Sequence, residues 1–265
     1  MQAAFRSSSS SLRASSRAPD ARRSAPALAP RSSRRNVTVH AAHAPPTVAD
    51  TRARFLEGYK RPIPAIYNTV VQELLVQQHF IRYNVAYQYN EVFALGFVSV
   101  FDQILDSFDP SDRSKVFDAY IGALGEDPRK YRADAERLEA EAKSLSGPDG
   151  LAPDANGNDL QRALARVAEA GGAGKLAYNK FFAIGLFRLL ELTGAKEPAA
   201  LERLVKSVGA APEAVNKDLL LYKGILSKLS AAKELMKEFL EREKKKQAER
   251  EAAKAAKAAP TSVQA

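Results

Sequence analysis

Residues 66–108 read IYNTVVQELLVQQHFIRYN, then VAYQYN, then EVFALGFVSVFDQILDSF, and this stretch decides the fold. Its two long segments repeat large apolar side chains at steps of three and four residues, which is the spacing of one face of an α-helix. A short link rich in tyrosine joins them. Each large apolar side chain contributes about 1.5–3 kcal/mol when it is fully buried. The sequence therefore predicts two helices at the centre of a helical core.

Helical spacing continues through the rest of the chain, and no segment shows the sustained alternation of a β-strand. We therefore predict an all-α fold, an irregular multi-helix bundle of about eight helices with a long C-terminal helix. Thr47 is predicted to cap the first helix, and Ser111 or Asp112 the helix that follows Pro110. The segment YRADAERLEAEAKSL (131–145) has few apolar residues and is predicted to be a surface helix.

The C-terminal segment, residues 212–259, has its own pattern. Its apolar positions step by four and three residues as a heptad seam that contains one lysine: Val215, Leu219, Tyr222, Leu226, Leu229, Lys233, Met236 and Leu240. As a helix it would measure about 70 Å, whereas the preceding body has an expected diameter of about 40 Å. We therefore predict a helical body over 43–211, a helix over 212–259 that docks to about residue 240 and then projects, and a disordered tail over 260–265.

Residues 1–42 contain eight Arg, ten Ser and a single acid, Asp20. This composition is typical of a mitochondrial or plastid transit peptide, and we predict a disordered transit peptide over 1–42; a basic tail without a targeting role is the alternative. The remaining 223 residues carry 32 basic and 30 acidic side chains, a balance of +2. A basic face for nucleic acid is therefore not indicated, and no nucleic-acid partner is predicted.

The sequence offers little catalytic chemistry. The absence of Cys excludes disulfides, thiolate metal sites and thiol nucleophiles. The run Gly171–Lys175 lacks the further glycine and the Ser or Thr of a phosphate-binding loop, and is predicted to be a helix stop. His79 has no partner at metal-ligand spacing and is predicted to be structural. Asp102 and Asp106 are predicted to lie on a solvated face. We predict no catalytic residue, no cofactor and no metal.

Two groups of residues are candidate interaction sites. Tyr83, Tyr87 and Tyr89 cluster where the two central helices join; they line a site or, as the alternative, close the end of the bundle with their hydroxyls in water. The run Lys244, Lys245 and Lys246 would contact an anionic membrane surface. As the alternative, it belongs to a solvent-exposed helix and has no binding role.

Several blocks in order resemble one protein family. TVADTRARFLEGYKRPIPAIYNTVVQELLVQQHF, FALGFVSVFDQIL, DPRKYRADAERL, YNKFFAIGLFRLLEL and VNKDLLLYKGILSKLSAAKELMKEFLEREKKK are similar to the thylakoid-formation family, whose cyanobacterial members are called photosystem II biogenesis proteins. The resemblance runs from about Thr47 to Lys246. The loop 147–158 and the residues after Lys246 are not part of it.

The resemblance implies an all-helical protein without known catalytic residues, found in the chloroplast, in the stroma and peripherally at thylakoid membranes on the stromal side. It implies roles in photosystem II assembly and repair and in accumulation of the FtsH-type thylakoid protease. Two function classes follow as expectations. One is an interaction protein that binds and stabilises the protease complex, and the other is a peripheral membrane protein that acts on thylakoid organisation through lipid contact.

Overall fold

A computed structural model describes residues 45–195 and 197–258, with side chains as far as Ala252. These residues form nine α-helices and no strand: α1 (Val48–Gly58), α2 (Ala65–Arg82), α3 (Glu91–Ile104), α4 (Pro110–Ala123), α5 (Pro128–Ser144), α6 (Asp159–Gly172), α7 (Lys180–Leu192), α8 (Pro198–Ser207) and α9 (Pro212–Ala258). The all-α prediction is confirmed, with nine helices in place of about eight. The predicted transit peptide and the tail 260–265 lie outside the described residues.

Side-chain caps fix where most of the helices begin. Thr47 caps α1, and its hydroxyl accepts from the Asp50 backbone N–H while the Asp50 carboxylate accepts from the Thr47 N–H. Asn90 and Asn179 cap α3 and α7, the two most apolar helices of the core. The cap of α4 is Asp109, with Pro110 at the first helical position. The prediction of Ser111 or Asp112 was wrong because proline favours the first turn and leaves the cap to the residue before it.

Helix α3 lies at the centre of the bundle. It is buried along nearly its whole length, and it packs most extensively against α7 and then against α5. Phe93, Phe97 and Phe101 are 0–1% exposed. Phe97 stacks edge-on against Phe181 of α7, with 5.3 Å between the ring centroids. The predicted central position is therefore confirmed for α3, with α7 as its main neighbour, and is wrong for α2, which packs mainly against α1.

Two glycines set how closely α3 and α7 approach. A Cβ built on Gly96 would lie 1.8 Å from the Phe181 carbonyl oxygen, and one on Gly185 would lie 2.0 Å from the Val92 carbonyl oxygen. Real side chains never show contacts that short, so only glycine fits at both positions. The backbones therefore touch at the crossing, and this places the aromatic side chains on either side of it in contact.

Helix α5 is more buried than its composition indicates. Tyr131, Ala135, Leu138 and Ala142 are buried, and α5 packs against α3, α7, α4 and α6. The prediction of a surface helix holds only for the opposite face. A narrow stripe is enough here because Tyr131 and Leu138 alternate with Ala135 and Ala142, and alanine allows neighbouring helices to approach closely.

The N-terminal half of α9 packs on α7 and α8. Val215, Leu219, Tyr222 and Leu229 are its buried residues. Lys233 then forms an ion pair with Asp106 at the end of α3. Beyond this pair every α9 side chain as far as Ala252 is exposed, although Met236 and Leu240 still border a shallow groove with Ile66 and Tyr67. Burial therefore ends eleven residues before Leu240, the limit predicted for docking.

Candidate functional site

Within residues 45–195 and 197–258, no group of His, Asp and Glu side chains is arranged to hold a metal ion. No helix in that part has the length and apolar character to cross a membrane. The buried His79 takes part in a hydrogen bond of 2.8 Å between its Nδ1 and the Thr51 hydroxyl of α1. Burial holds the pKa of His79 below its ordinary value, with a smaller opposing effect from Asp50. His79 therefore has a structural role, since its hydrogen bond joins α2 to α1.

The carboxylates predicted to lie on a solvated face are both paired. Asp102 accepts two hydrogen bonds from the Arg132 guanidinium of α5, at 2.6 and 2.9 Å. The same guanidinium lies 4.0 Å from the centroid of the Phe117 ring. Asp106 pairs with Lys233, as described above. Both side chains remain partly exposed, 37% for Asp102 and 59% for Asp106, so the predicted solvated face is confirmed. Their basic partners were not predicted, because these come from helices far away in the sequence.

The tyrosines of the α2–α3 connection point into the protein. Tyr83 donates to the Leu124 carbonyl oxygen at 3.1 Å, and Tyr89 donates to the Asp134 carboxylate at 2.7 Å. Tyr87 donates to the Glu126 carboxylate at 2.8 Å. The alternative with the hydroxyls in water is therefore wrong, because the α4–α5 connection and α5 supply acceptors for all three.

Glu126 is the centre of this tyrosine cluster. Its carboxylate accepts hydrogen bonds from Tyr87 and Tyr131 and lies 2.7 Å from the Arg82 Nε. Burial is the main cause that raises the pKa of Tyr87, Tyr89 and Tyr131, with contributions from the neighbouring carboxylates. The phenols therefore stay protonated and act as donors. The cluster ties the α2–α3 link to the α4–α5 link and leaves no tyrosine hydroxyl free for a ligand.

A groove of about 270 Å³ opens between α2 and α9. Its walls are largely apolar and include Val70, Leu74, Ile104, Phe181, Ile184 and Ile225. Three charged residues also line it, Glu73, Asp218 and Lys180. Lys180 donates to the Gln77 side chain, and burial lowers the pKa of its ammonium group against the opposing effect of Glu73 and Asp218. This α2–α9 groove suits an apolar side chain of another molecule better than a small polar ligand.

Helix α9 also exposes large apolar side chains to solvent. Leu221, Ile225, Leu235 and Phe239 lie along one face of the helix, and we call them the apolar stripe. Leu221 and Ile225 border the α2–α9 groove. The sequence analysis missed this surface. Its signal was present as a second series of apolar residues at steps of three and four, beside the seam that packs on the body.

The lysine run lies on the projecting part of α9. Lys246 pairs with Glu243 at 3.2 Å, and both side chains are exposed. Residues 241–252 carry five basic and four acidic side chains, so the local balance is only +1. Lys244 borders a groove at the start of α2, whereas the tyrosine cluster lies at the other end of α2, about 27 Å away along the helix. The structure therefore does not bring the two predicted sites together.

The family model described as thylakoid formation protein matches residues 47–251 of the chain. This match covers every helix described above except the last residues of α9. It begins at the N-cap of α1, so the predicted transit segment lies before it.

Individual proteins are similar over the same region. Protein THYLAKOID FORMATION1, chloroplastic, of Oryza sativa subsp. japonica is 50% identical over 208 residues, which cover 78% of this chain and 72% of the relative. The chloroplastic protein of the same name in Arabidopsis thaliana is 48% identical over 207 residues, covering 77% and 69%. Protein Thf1 of Nostoc punctiforme is 36% identical over 233 residues, covering 82% and 97%.

A solved structure shares the fold. The structure of Psb29 at 1.55 Å is similar with a TM-score of 0.59 at 30% identity, and the similarity covers 77% of this chain and 100% of that one. Sequence and structure comparisons therefore point to the same group of proteins.

Proposed function

Because the chain belongs to the thylakoid formation protein family, we propose that it is a non-enzymatic chloroplast protein that supports thylakoid biogenesis and photosystem II assembly and repair by binding other proteins. The proposed partner is the FtsH-type thylakoid protease complex, which the protein would stabilise from the stromal side of the membrane. The partner is the one that the sequence resemblance implies.

The observation that carries this proposal is the projection of α9. After Lys233 the helix continues to Ala258, and its described side chains no longer pack on the body. A lone helix in water is held only by intrinsic propensity and by charge pairs one turn apart, each contributing about 0.2–0.5 kcal/mol. Such pairs are present between Glu238 and Arg242 and between Glu243 and Lys246. A helix kept in this form beyond its own body is suited to contact a partner.

Truncation after Leu240 tests the proposal. The shortened chain should keep its circular dichroism spectrum and melting temperature, since nothing buried is removed. It should lose most of its co-purification with the protease from solubilised thylakoids. Truncation before Leu219, which removes buried residues, should unfold the body and serves as the contrasting case. Full partner binding by the Leu240 truncation would contradict a contact through the projecting helix.

The second candidate function is lipid contact, favoured by the exposed Met236 and Leu240 shortly before Lys244, Lys245 and Lys246. Flotation with anionic liposomes, titrated with salt, separates the two functions. The proposed protein contact predicts weak flotation that is unchanged when all three lysines are replaced by Gln. Strong flotation that salt and the triple replacement abolish would favour the lipid function instead.

A further inference from the structure

The apolar stripe of α9 is exposed to an unusual degree. The exposed fraction is 58% for Leu221, 50% for Ile225, 67% for Leu235 and 58% for Phe239. These residues form two pairs on one face of a surface helix, Leu221 with Ile225 and Leu235 with Phe239. Such pairing marks an interaction surface, because singly exposed apolar side chains are common but neighbouring ones are not.

The stripe is part of a second heptad seam. With Lys228 and Ala232 between them, the positions 221, 225, 228, 232, 235 and 239 follow one another at steps of four, three, four, three and four residues. This is the spacing of a two-helix coiled coil. It is distinct from the seam of Val215, Leu219, Tyr222 and Leu229, which packs on the body.

We propose that this second seam pairs with the same seam of a second copy of the chain, in antiparallel orientation, with the two-fold axis on the seam face midway between Lys228 and Ala232. In this register Leu221 faces Phe239 of the partner subunit, and Ile225 faces Leu235 of the partner subunit. Lys228 faces the partner subunit's Ala232, and its aliphatic stem passes over that small side chain. Every large apolar residue of the seam then meets another one, and the contact closes on itself as a dimer.

Charge supports the antiparallel register. Three residues beyond the pair of Leu221 and Phe239, Asp218 faces Arg242 of the partner subunit. Within one chain these two residues are 24 positions apart, or about 36 Å along the helix, so they do not pair with each other. A parallel pair would instead place Lys228 against the partner subunit's Lys228, two like charges in the seam.

The pairing also covers the α2–α9 groove. Leu221 and Ile225 form part of its edge, so Leu235 and Phe239 of the partner subunit would lie over its mouth. Each copy would thus place the start of its projecting helix beside the body of the other. This inference does not depend on the proposed protease contact, which is assigned to residues after Leu240.

Sedimentation equilibrium of the full chain at micromolar concentration is the first test. We expect a species of twice the 28.8 kDa of one chain. Replacing both Leu235 and Phe239 by Glu should raise the dimer dissociation constant at least about tenfold, with an unchanged circular dichroism spectrum. Leu220→Glu is the matched control, since Leu220 is 71% exposed but lies off the seam. A monomer at all concentrations, or equal dissociation by the control, would overturn the proposal.

Spin labels test the orientation, and the chain has no native Cys to interfere. Labels on Lys245→Cys should lie about 45 Å apart in the antiparallel dimer, because each is 15 residues from the axis. Labels on Ala231→Cys should lie close together. Short distances at both positions would refute the register. Arg242→Glu should weaken the dimer while Arg250→Glu, outside the paired region, leaves it unchanged; equal effects would refute the pairing of Arg242 with Asp218.

Discussion

A single methyl group added where α3 and α7 cross is expected to destabilise the whole bundle. In Gly96→Ala the new Cβ would lie 1.8 Å from the Phe181 carbonyl oxygen and 2.6 Å from the Gly185 nitrogen. Both neighbours are backbone atoms of α7, so no side-chain rotation relieves the overlap. The helices must separate by about 1.5 Å to restore ordinary van der Waals distances. That separation loosens the aromatic contacts on both sides of the crossing.

The magnitude follows from two opposing effects. Overpacking of a core costs about 1–3 kcal/mol and occasionally more, and Gly96→Ala belongs at the upper end because α3 and α7 share the most extensive interface. The better helix propensity of alanine offsets about 0.5–1 kcal/mol. The expected net loss is about 2–3 kcal/mol, which lowers the melting temperature of a domain of this size by about 5–10 °C.

Urea denaturation measures this loss, and Gly224→Ala is the control. Gly224 is also a glycine inside a helix, but no atom lies within 4 Å of the position its Cβ would take. This control should stabilise the protein by about 0.5–1 kcal/mol through propensity alone. The two changes should therefore have opposite signs. A Gly96→Ala protein as stable as the wild type would refute the close crossing of α3 and α7.

Further predictions concern the core, pH and processing. Phe97→Ala or Phe101→Ala should each cost about 3–5 kcal/mol in urea denaturation. Asp102→Ala should cost only about 1 kcal/mol, since its arginine pair is partly exposed; equal losses would mean that the buried face of α3 is misassigned. The pKa of His79 is lower in the folded protein, so the unfolded chain binds more protons as pH falls below about 6.5 and stability drops. His79→Gln should reduce this loss of stability at low pH. An unchanged dependence of the unfolding free energy on pH would contradict the role given to His79. Mature protein should begin near Ala41; N-terminal sequencing that finds the first thirty residues retained would disprove the transit peptide.

Local signals explain how much of the fold the sequence predicted. The spacing of apolar residues located α2, α3 and the first half of α9. The helix stop predicted for the run Gly171–Lys175 is confirmed, since α6 ends at Gly172 and Gly174 has a φ of 65°. These features depend on a few neighbouring residues, so the sequence alone contains enough information to place them.

The features that the sequence did not predict depend on distant partners. Nothing in the neighbouring sequence marks Gly96 and Gly185, because only the crossing of their helices requires the missing Cβ. The arginine partner of Asp102 was not predicted, because Arg132 lies 30 residues further along the chain. The hydroxyl partners of the tyrosines are 39 to 45 residues away.

The exposed stripe of α9 is a different case. Both of its seams have helical spacing, and spacing alone does not decide which one faces the body. Burial of Leu219 and Leu229 decides it, together with exposure of Leu221 and Leu235. The candidate surface therefore became visible only when α9 was placed on α7 and α8.

The central position of α3 has a consequence for how the protein is made. Ribosomes release the N-terminal helices first, at about 5–20 residues per second. Between the end of α3 and the start of α7 lie 75 residues, so α3 waits roughly 4–15 s for its main neighbour. During that time its phenylalanines have only the other helices that precede α7, chiefly α4, α5 and α6, to cover them. A chaperone that holds apolar segments of nascent chains would therefore engage this protein at α3 and release it once α7 arrives.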